Sequence, residues 1–329
     1  MKTYSAELAL PPLHDGPPVT PLGIVVVNYG SHALLAANLA RLNLSAVPAK
    51  VVVVDNFKSA ADTAAITELA AARGWTLHAL ARNVGFGAAV NLGVAKAAQL
   101  GCDSYLMINP DVAITEEVLA QLLAATLAQP MALITPTIVR PDGSVWFRGS
   151  RLSLDEAGVR PVTGPPTARR RAWLTGACLA VSRSMWAKLG GYDDDYFLYW
   201  EDVDLSIRCV DLGGSLIVRD DLVVVHDVGG TQQASTSRAK SPLYYYYNCR
   251  NRLLFASKHL SSIDQLKWLL RTPTDVARVV LRGGRRQLLR PGSSAWPGIR
   301  GALAGLFALA GSWPRGNHSG RRTEDLVAR

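Results

Sequence analysis

The sequence of 329 residues has little cysteine and no paired-cysteine motif. Its four cysteines lie far apart in the chain, at Cys102, Cys178, Cys209 and Cys249. This spacing argues against a structural zinc site and against the disulfide framework of a small secreted protein. We therefore expect a protein of the reducing cytoplasm that folds without disulfides.

Long apolar runs and a recognisable signal segment are also missing. The apolar stretch at 301–311 is too short to cross a bilayer, which needs about 20 residues. Residues 1–20 carry prolines and acidic side chains where a signal peptide would have a basic stretch followed by an apolar run. We predict that 1–20 is a flexible leader.

Two common nucleotide-binding motifs are absent as well. The loop after the first predicted strand reads Asn-Tyr-Gly-Ser-His at 28–32, without the Gly-x-Gly-x-x-Gly turn of a dinucleotide site. The chain also has no Gly-x-x-x-x-Gly-Lys-Ser/Thr loop. A dehydrogenase and a P-loop nucleotidase are therefore disfavoured.

Short β-branched runs alternate instead with stretches of helical composition over the first 110 residues. Unbroken apolar runs are typical of strands that are buried on both faces. The predicted strands lie at 23–28, 51–54, 76–80 and 104–108, and the helices between them at 33–44, 63–73 and 88–100. This alternation predicts an α/β fold with a mostly parallel sheet, whose ligands bind beyond the carboxyl ends of the strands.

Polar residues follow each of these strands. Asp55 can accept hydrogen bonds from a base or ribose, although a helix cap is the alternative. The stretch 82–91 offers glycines for close backbone approach and amides for sugar or phosphate oxygens, unless it is only a Gly-rich connection. Candidate ligand-binding residues are Asn28, Tyr29, Asp55, Asn83, Gly85, Phe86, Asn91, Asn109 and Asp111.

The Asn109-Pro110-Asp111 segment is a candidate metal site. A carboxylate after a strand can hold Mg²⁺ or Mn²⁺ while substrate phosphates supply other ligands. The alternative for Asp111 is a turn with a helix cap. His226, at the end of a later predicted strand, is a candidate second ligand, and a purely structural histidine is its alternative.

Glu201 and Asp202 form a second acidic pair, directly after the aromatic cluster 196–200. Partial desolvation by such neighbours raises a carboxylate pKa and makes a better proton acceptor near neutral pH. We predict that one of the two is a catalytic base, with Trp200 on the acceptor side. The alternative is a helix start that the macrodipole favours without catalysis.

Basic residues are concentrated in the last part of the chain. From Arg250 to Arg329 there are 15 Lys and Arg against 4 Asp and Glu, whereas the whole chain has a net charge of +9. Mixed with Leu, Val, Trp and Phe, this charge suits a membrane surface better than nucleic acid. A solvated helical tail is the alternative.

Several segments together resemble the family 2 inverting glycosyltransferases of the GT-A fold, within them the bacterial rhamnosyltransferase-like branch. The likeness covers 22–252. It rests on IVVVNYGS, VVVVDNFKS, RNVGFGAAVN, LMINPDV, WLTGACLAVSRSMWAKLGGYDDDYFLYWEDVDLSIR and YYYYNCRNRL, in this order. The resemblance implies a GT-A domain at 21–252, followed by a basic helical extension at 253–329.

The resemblance also implies roles for individual residues. Asn109 stands where many members carry the first Asp of an Asp-x-Asp element, so that Asp111 would be its metal carboxylate. Asn28, Asp55 and Asn83 would bind the nucleotide. Asp202 would be the general base, with Glu201 as its neighbour. Gly176 and Ala177 would lie on the acceptor side, and Arg250 would bind phosphate.

By the same resemblance the donor would be dTDP-rhamnose. The basic C-terminal part suggests the acceptor instead: a saccharide or a polyprenyl-diphosphate-linked saccharide, with peripheral contact at the inner face of the cell membrane. A sugar nucleotidyltransferase and a non-catalytic sugar-nucleotide-binding protein are the competing hypotheses. The nucleotidyltransferase is disfavoured because the first strand is not followed by a Gly-rich loop with a basic residue.

Overall fold

A computed structural model describes residues 20–160, 167–227 and 240–312. The predicted leader lies outside these ranges except for Thr20, and residues 313–329 of the predicted extension lie outside them too. The strands are β1 (Leu22–Asn28), β2 (Ala49–Asp55), β3 (Thr76–Ala79), β4 (Ser104–Ile108), β5 (Val112–Ala113), β6 (Ala132–Val139), β7 (Val145–Phe147), β8 (Ser150–Ser153), β9 (Gly158–Arg160), β10 (Arg170–Trp173), β11 (Cys178–Ser182) and β12 (Ser215–His226).

Helices follow most of the strands in the first half and dominate the last part. The α-helices are α1 (His32–Ala37), α2 (Ala60–Arg73), α3 (Phe86–Gln99), α4 (Glu116–Ala128), α5 (Arg183–Leu189), α6 (Glu201–Asp211), α7 (Pro242–His259), α8 (Ser262–Leu270), α9 (Thr272–Leu281) and α10 (Ala295–Ser312). Short 3-10 helices lie at Leu39–Arg41, Leu44–Ala46 and Arg285–Leu289.

The first half of the main sheet is parallel, as the alternating pattern predicts. Strands β3, β2, β1 and β4 are adjacent in this order and run in the same direction. Their apolar runs are buried, because helices such as α3 lie against the sheet. Asn28 and Asp55 are register partners at the ends of β1 and β2. The polar residues after these strands therefore meet at one edge.

The second half of the sheet changes direction at β11. This strand lies between β4 and β6 and is antiparallel to both. Because of the reversal, the residues that precede β11 lie at the carboxyl end of β4, where the Asn109 amide donates to the Ala177 carbonyl at 2.9 Å. The sheet continues through β12, which is parallel to β6, and ends at β5, where His226 pairs with Val112.

The stretch 173–182 is apolar enough to predict one continuous strand, but in the structure it is interrupted. β10 ends at Trp173 and pairs with β8 in a separate three-stranded sheet, whereas β11 begins at Cys178 and joins the main sheet. The connecting residues at 174–177 lie between the two sheets. Apolar character continues through the break, so periodicity alone does not reveal it.

The C-terminal helices pack against the rest of the fold through a second core cluster. Its members come from the small sheet, the loop before α6 and helices α7, α8 and α10, and include Leu152, Trp200, Phe255, Trp268 and Leu309. The domain boundary predicted after residue 252 falls inside α7. Among the helices of the described ranges, none is long and apolar enough to cross a bilayer.

Candidate active site

A cavity of about 560 Å³ opens where the carboxyl end of β4 meets the beginning of α6. Most of its walls come from four places: the residues after β4, the turn before β11, the loop that leads into α6, and the C-terminal helices. The lining residues are Phe86, Asn109, Asp111, Trp146, Trp173, Thr175, Gly176, Ala177, Leu198, Tyr199, Glu201, Asp202, His226, Lys240, Tyr244 and Arg282. The structure therefore brings Asp111 and Asp202 to the same cavity.

Asp202 is fixed by backbone amides at the beginning of α6. The amide of Val203 donates to Asp202 Oδ1 at 2.8 Å, and the amide of Gly176 donates to Oδ2 at 3.3 Å. A further hydrogen bond comes from the Thr175 hydroxyl. The carboxylate therefore keeps one orientation on the cavity wall, between α6 and the turn before β11.

The two carboxyl groups of the pair differ in ionisation. Burial raises the pKa of Asp202 to about 6, although hydrogen bonds from Gly176 and Val203 oppose this effect. Burial, and then the negative charge of Asp202, raise the pKa of Glu201 well above its usual range. Because two adjacent buried carboxylates resist double ionisation, Asp202 carries the charge near neutral pH and Glu201 stays protonated.

Glu201 has an unsatisfied polar atom. The residue is 6% exposed, and its Oε2 has no hydrogen-bond partner among the described residues. A buried polar atom without a partner costs about 1–3 kcal/mol, so such atoms are rare away from functional sites. Because Glu201 lies on the cavity wall, a bound substrate could supply the missing hydrogen bond to Oε2.

The loop before α6 is strained and is held from α7. Tyr199 and Trp200 have positive φ angles of 66° and 76°, a conformation that costs about 1–3 kcal/mol for each non-glycine residue. The buried amide of Asn251 compensates by donating to the carbonyls of Leu198 and Tyr199 at 2.9 and 2.8 Å. Strain of this kind concentrates at functional sites, and here it sets the direction of Glu201 and Asp202.

Asp111 and His226 lie next to each other on the cavity wall. His226 Nε2 lies 3.0 Å from Asp111 Oδ1, and both side chains are buried. The pairing of β5 with β12 positions them. The ring of Trp146 contacts His226 edge-on, with centroids 4.4 Å apart, and the buried His226 Nδ1 has no partner in the described part of the chain.

The pair is compatible with a divalent cation that completes its coordination from substrate. No group of three or more His, Cys, Asp or Glu that could hold a metal exists within 20–160, 167–227 and 240–312. A small hard cation nevertheless needs only one or two protein ligands when phosphates and water supply the rest. Asp111 and His226 provide a carboxylate oxygen and an imidazole nitrogen on the cavity wall.

The predicted nucleotide residues Asn28 and Asp55 form a closed hydrogen-bonded group beside the cavity. The Asn28 amide donates to Asp55 Oδ1 at 2.9 Å, and the Thr63 hydroxyl donates to Asp55 Oδ2 at 2.6 Å. Both Asn28 and Asp55 are fully buried. In contrast, Tyr29, directly after β1, is 47% exposed. Asp55 therefore holds the strand ends in place, and its contact with a nucleotide stays a prediction.

Asn56, which the sequence did not single out, organises the neighbouring loop. Its amide nitrogen donates to Asn83 Oδ1 at 2.9 Å and to the Gly85 carbonyl at 3.0 Å, while its oxygen accepts from Val84. Gly85 has a φ of 94°, and a Cβ there would lie 2.5 Å from the Phe197 carbonyl. Only glycine fits this close approach, which directs the next residue, Phe86, into the cavity.

Eight predicted site residues do not line the cavity: Asn28, Tyr29, Asp55, Asn83 and Gly85, described above, and also Asn91, Trp200 and Arg250. The amide of Asn91 donates to the Tyr192 carbonyl at 2.8 Å and to Asp194 at 3.0 Å, which uses both of its amide hydrogens. Trp200 packs in the second core cluster. Arg250 donates to the Asp195 carbonyl at 2.9 Å.

Other residues take these places on the cavity wall. Tyr199 lines the cavity where Trp200 was predicted, because the positive φ angles turn Trp200 inward. Lys240 and Arg282 are the cations on the wall, rather than Arg250. The Tyr244 hydroxyl accepts a hydrogen bond from Arg282 at 3.3 Å. Excess basic charge in the C-terminal part was the only sequence signal for Arg282.

Two curated relatives are rhamnosyltransferases. An N-acetylglucosaminyl-diphospho-decaprenol L-rhamnosyltransferase of Mycobacterium tuberculosis is 29% identical over 304 residues, which are 82% of this chain and 97% of the relative. A dTDP-rhamnosyl transferase, RfbF, of Shigella flexneri is 23% identical over 189 residues, which are 56% of this chain and 63% of the relative. No family model matches the chain.

Solved structures of other glycosyltransferases share the fold. GalNAc-T7 with UDP, GalNAc and Mn²⁺ superimposes with a TM-score of 0.59 at 16% identity, over 83% of this chain and 54% of that chain. The mannosyltransferase PcManGT of Pyrobaculum calidifontis, with GDP-Man and Mn²⁺, gives a TM-score of 0.51 at 16% identity, over 88% and 86% of the two chains. The predicted GT-A fold, the rhamnosyltransferase-like resemblance and the prediction of a glycosyltransferase are confirmed.

Proposed function

We propose that this chain, a glycosyltransferase of the GT-A fold similar to the family 2 rhamnosyltransferases, transfers rhamnose from dTDP-rhamnose to a polyprenyl-diphosphate-linked saccharide with inversion of configuration. The names of the two relatives support the sugar, and that of the mycobacterial relative supports the lipid-linked acceptor. The observation that carries the mechanism is the single cavity shared by Asp202 and the Asp111–His226 pair.

Asp202 acts as the general base in this proposal. Its partly exposed carboxylate removes the proton of the acceptor hydroxyl as that oxygen attacks the anomeric carbon, and the bond from this carbon to the nucleotide diphosphate breaks. A raised pKa near 6 makes Asp202 a stronger proton acceptor than an ordinary aspartate while it stays ionised at neutral pH. Turnover is expected to fall as the pH decreases through about 6.

The departing diphosphate needs positive charge nearby. Asp111 and His226 would hold Mg²⁺ or Mn²⁺, which supplies Lewis-acid stabilisation of phosphate oxygens when it is bound. Lys240 and Arg282 add fixed cationic groups on the same cavity wall. Charge stabilisation by positioned groups in a partly desolvated cavity is commonly the largest contribution to catalysis.

Thermal unfolding with nucleotide sugars tests the donor and the metal together. A ligand that binds only the folded protein raises its melting temperature. We expect dTDP-rhamnose to stabilise the chain more than GDP-mannose, and to do so only with MnCl₂ or MgCl₂. Asp111→Asn and His226→Ala should lose the metal-dependent part, whereas Asp202→Asn should keep it.

The transfer itself is tested with the same variants. Release of dTDP from dTDP-rhamnose should require the metal, increase with a polyprenyl-diphosphate-linked saccharide, and be lost in Asp202→Asn. Equal stabilisation by GDP-mannose and dTDP-rhamnose would rule out the donor. Full transfer activity of Asp202→Asn would rule out the mechanism.

A further inference from the structure

Helix α10 buries a face made mostly of small residues and leaves most of its large apolar residues outside. The buried face carries Gly298, Gly301, Ala302, Gly305 and Leu309. The outer face carries Trp296, Ile299, Leu303 and Phe307. These four lie within an arc of about 80° at 3.6 residues per turn. A helix of a water-soluble domain normally has the opposite arrangement, with its large apolar stripe against the core.

Close contact with α7 fixes this orientation. A Cβ on Gly301 would collide with the Tyr246 carbonyl, and a Cβ on Gly305 would lie 2.7 Å from the Arg250 carbonyl. The backbones of the two helices therefore touch along the glycine face. No rotation of α10 could bury Trp296 or Phe307 against α7 without separating the helices, so their exposure follows from the packing.

The exposed area is large for single side chains. Phe307 is 79% exposed and Trp296 is 55% exposed, and Leu289, at the end of the 3-10 helix before α10, is 84% exposed. Contiguous apolar surface of this kind marks an interaction site, whereas isolated exposed apolar residues need no explanation. The four residues on α10 form a continuous stripe and therefore indicate a partner.

The charge around the stripe indicates which partner. Residues 276–312 contain no Asp or Glu and six arginines: Arg278, Arg282, Arg285, Arg286, Arg290 and Arg300. A second copy of this chain would bring the same positive charge against the first, which opposes association. An anionic bilayer matches both features, because its headgroups attract arginine while Trp, Leu and Phe enter the boundary of the acyl region.

We infer that the outer face of α10, with Arg285, Arg286 and Arg300, docks the protein on the surface of an anionic lipid bilayer. The helix lies in the plane of the headgroups. The buried face of α10 contacts α9, where Gly298 is close to Val276 and Val280, and α9 ends directly before Arg282 of the cavity wall. Docking through α10 therefore places the cavity wall that carries Arg282 close to the membrane surface.

Sedimentation with lipid vesicles tests this surface in the full chain, without any donor or acceptor. We expect the chain to bind vesicles of phosphatidylcholine with phosphatidylglycerol, and to bind pure phosphatidylcholine more weakly. Leu303→Gln with Phe307→Gln should reduce binding about tenfold or more, because two large apolar side chains no longer enter the bilayer. Arg285→Gln with Arg286→Gln should reduce binding to the anionic vesicles roughly tenfold.

The control variant changes two leucines that are about as exposed as Leu303 and lie elsewhere, Leu127→Gln with Leu212→Gln. It should bind vesicles like the unchanged chain. Equal losses in the control and in the α10 variant would overturn the inference, as would absence of binding to the anionic vesicles. Light scattering measures whether the chain is a dimer in solution. If it is, and if the α10 variant is a monomer, the outer face of α10 binds a second copy of the chain and the inference is wrong. Because the vesicles hold no substrate, failure here leaves the proposed transferase function standing.

Discussion

Two sets of buried polar side chains at the carboxyl edge of the sheet, one around Asn28 and Asp55 and one in the cavity, differ in how many of their polar atoms have hydrogen-bond partners. In the group around Asn28 and Asp55, both carboxylate oxygens of Asp55 accept hydrogen bonds from within the protein. In the cavity, Glu201 Oε2 and His226 Nδ1 have no partner among the described residues. Both regions contain buried carboxyl groups, Asp55 in the first and Glu201 in the second.

The difference separates positioning from chemistry. A buried polar network that satisfies itself stabilises the fold and leaves little for a ligand to gain. Unsatisfied buried atoms on a cavity wall cost stability, which a substrate recovers on binding. We therefore expect substitutions in the first group to change mainly stability, and substitutions in the cavity to change mainly activity.

The largest effect is expected for Asp202→Asn. The asparagine oxygen can still accept the amide of Gly176, so the fold should persist while the proton acceptor is lost. Turnover should fall about 10²-fold or more, the usual contribution of a general base. Release of nucleotide from the donor measures this effect.

Two controls sharpen that result. Asp142→Asn changes an exposed turn residue in the same way and should leave turnover unaltered. Glu201→Gln should retain more activity than Asp202→Asn, because Glu201 is already protonated near neutral pH. If Glu201→Gln were the more damaging variant, the assignment of the base within the pair would have to be reversed.

Asn251→Ala should have the next largest effect. It removes both hydrogen bonds that hold the strained carbonyls of Leu198 and Tyr199. We expect turnover to fall roughly tenfold, because a small displacement of catalytic groups is costly, together with a loss of about 1–3 kcal/mol in stability. Turnover and urea unfolding measure the two effects.

A matched variant separates the loop from general destabilisation. Asn248→Ala removes the side-chain bond to the Tyr244 carbonyl on the same helix and leaves the loop contacts in place. It should retain far more activity than Asn251→Ala. Similar turnover in both variants would show that the loop does not depend on Asn251.

Asn28→Ala should change stability in the ligand-free protein. The substitution leaves Asp55 Oδ1 and the Ser31 amide without their partner, and we expect a loss of about 1–3 kcal/mol in the free energy of unfolding. Asn43→Ala, at an exposed turn, should cost less. If Asn28→Ala left the melting temperature unchanged and weakened donor binding, Asn28 would be a binding residue and not a structural one.

The smallest effect is a pH dependence of stability. The pKa of Asp202 is about 6 in the folded protein against a usual 3.8, so the folded state binds the proton more tightly than the unfolded state. Ionisation therefore destabilises the fold progressively as the pH rises from about 4 to about 6. In a Glu201→Gln background, adding Asp202→Asn should raise the melting temperature above about pH 6 and change it little below about pH 4.

The corresponding measurement is thermal unfolding of these two variants across that range. A melting temperature that falls on adding Asp202→Asn at neutral pH would show that the carboxylate stabilises the fold, contrary to its burial.

Local patterns predicted the parallel half of the sheet well. The runs that end at Asn28, Asp55 and Ile108 are strands in the structure, because a buried strand requires an unbroken apolar run. The break between Trp173 and Cys178 was not predicted. It depends on which sheet each half of the stretch joins, and neither half differs in hydrophobicity.

The candidate site was predicted in part for the same reason. Asp111, Glu201 and Asp202 follow or begin regular elements, where a motif is visible along the chain. Tyr199 and Arg282 could not be found in this way, since one depends on a strained backbone and the other on the packing of α9 near the cavity.

The sequence by itself determined the alternation of strands and helices in the parallel half of the sheet, the polar ends of β1, β2 and β4, and the positions of both acidic segments. Periodicity and local chemistry carry this information over a few residues. Only the tertiary structure decided which polar atoms stay unsatisfied, that Trp200 turns inward, and that α10 presents its large apolar face outward. Each of these depends on backbone approach and side-chain contact between segments far apart in the chain, which no local pattern encodes.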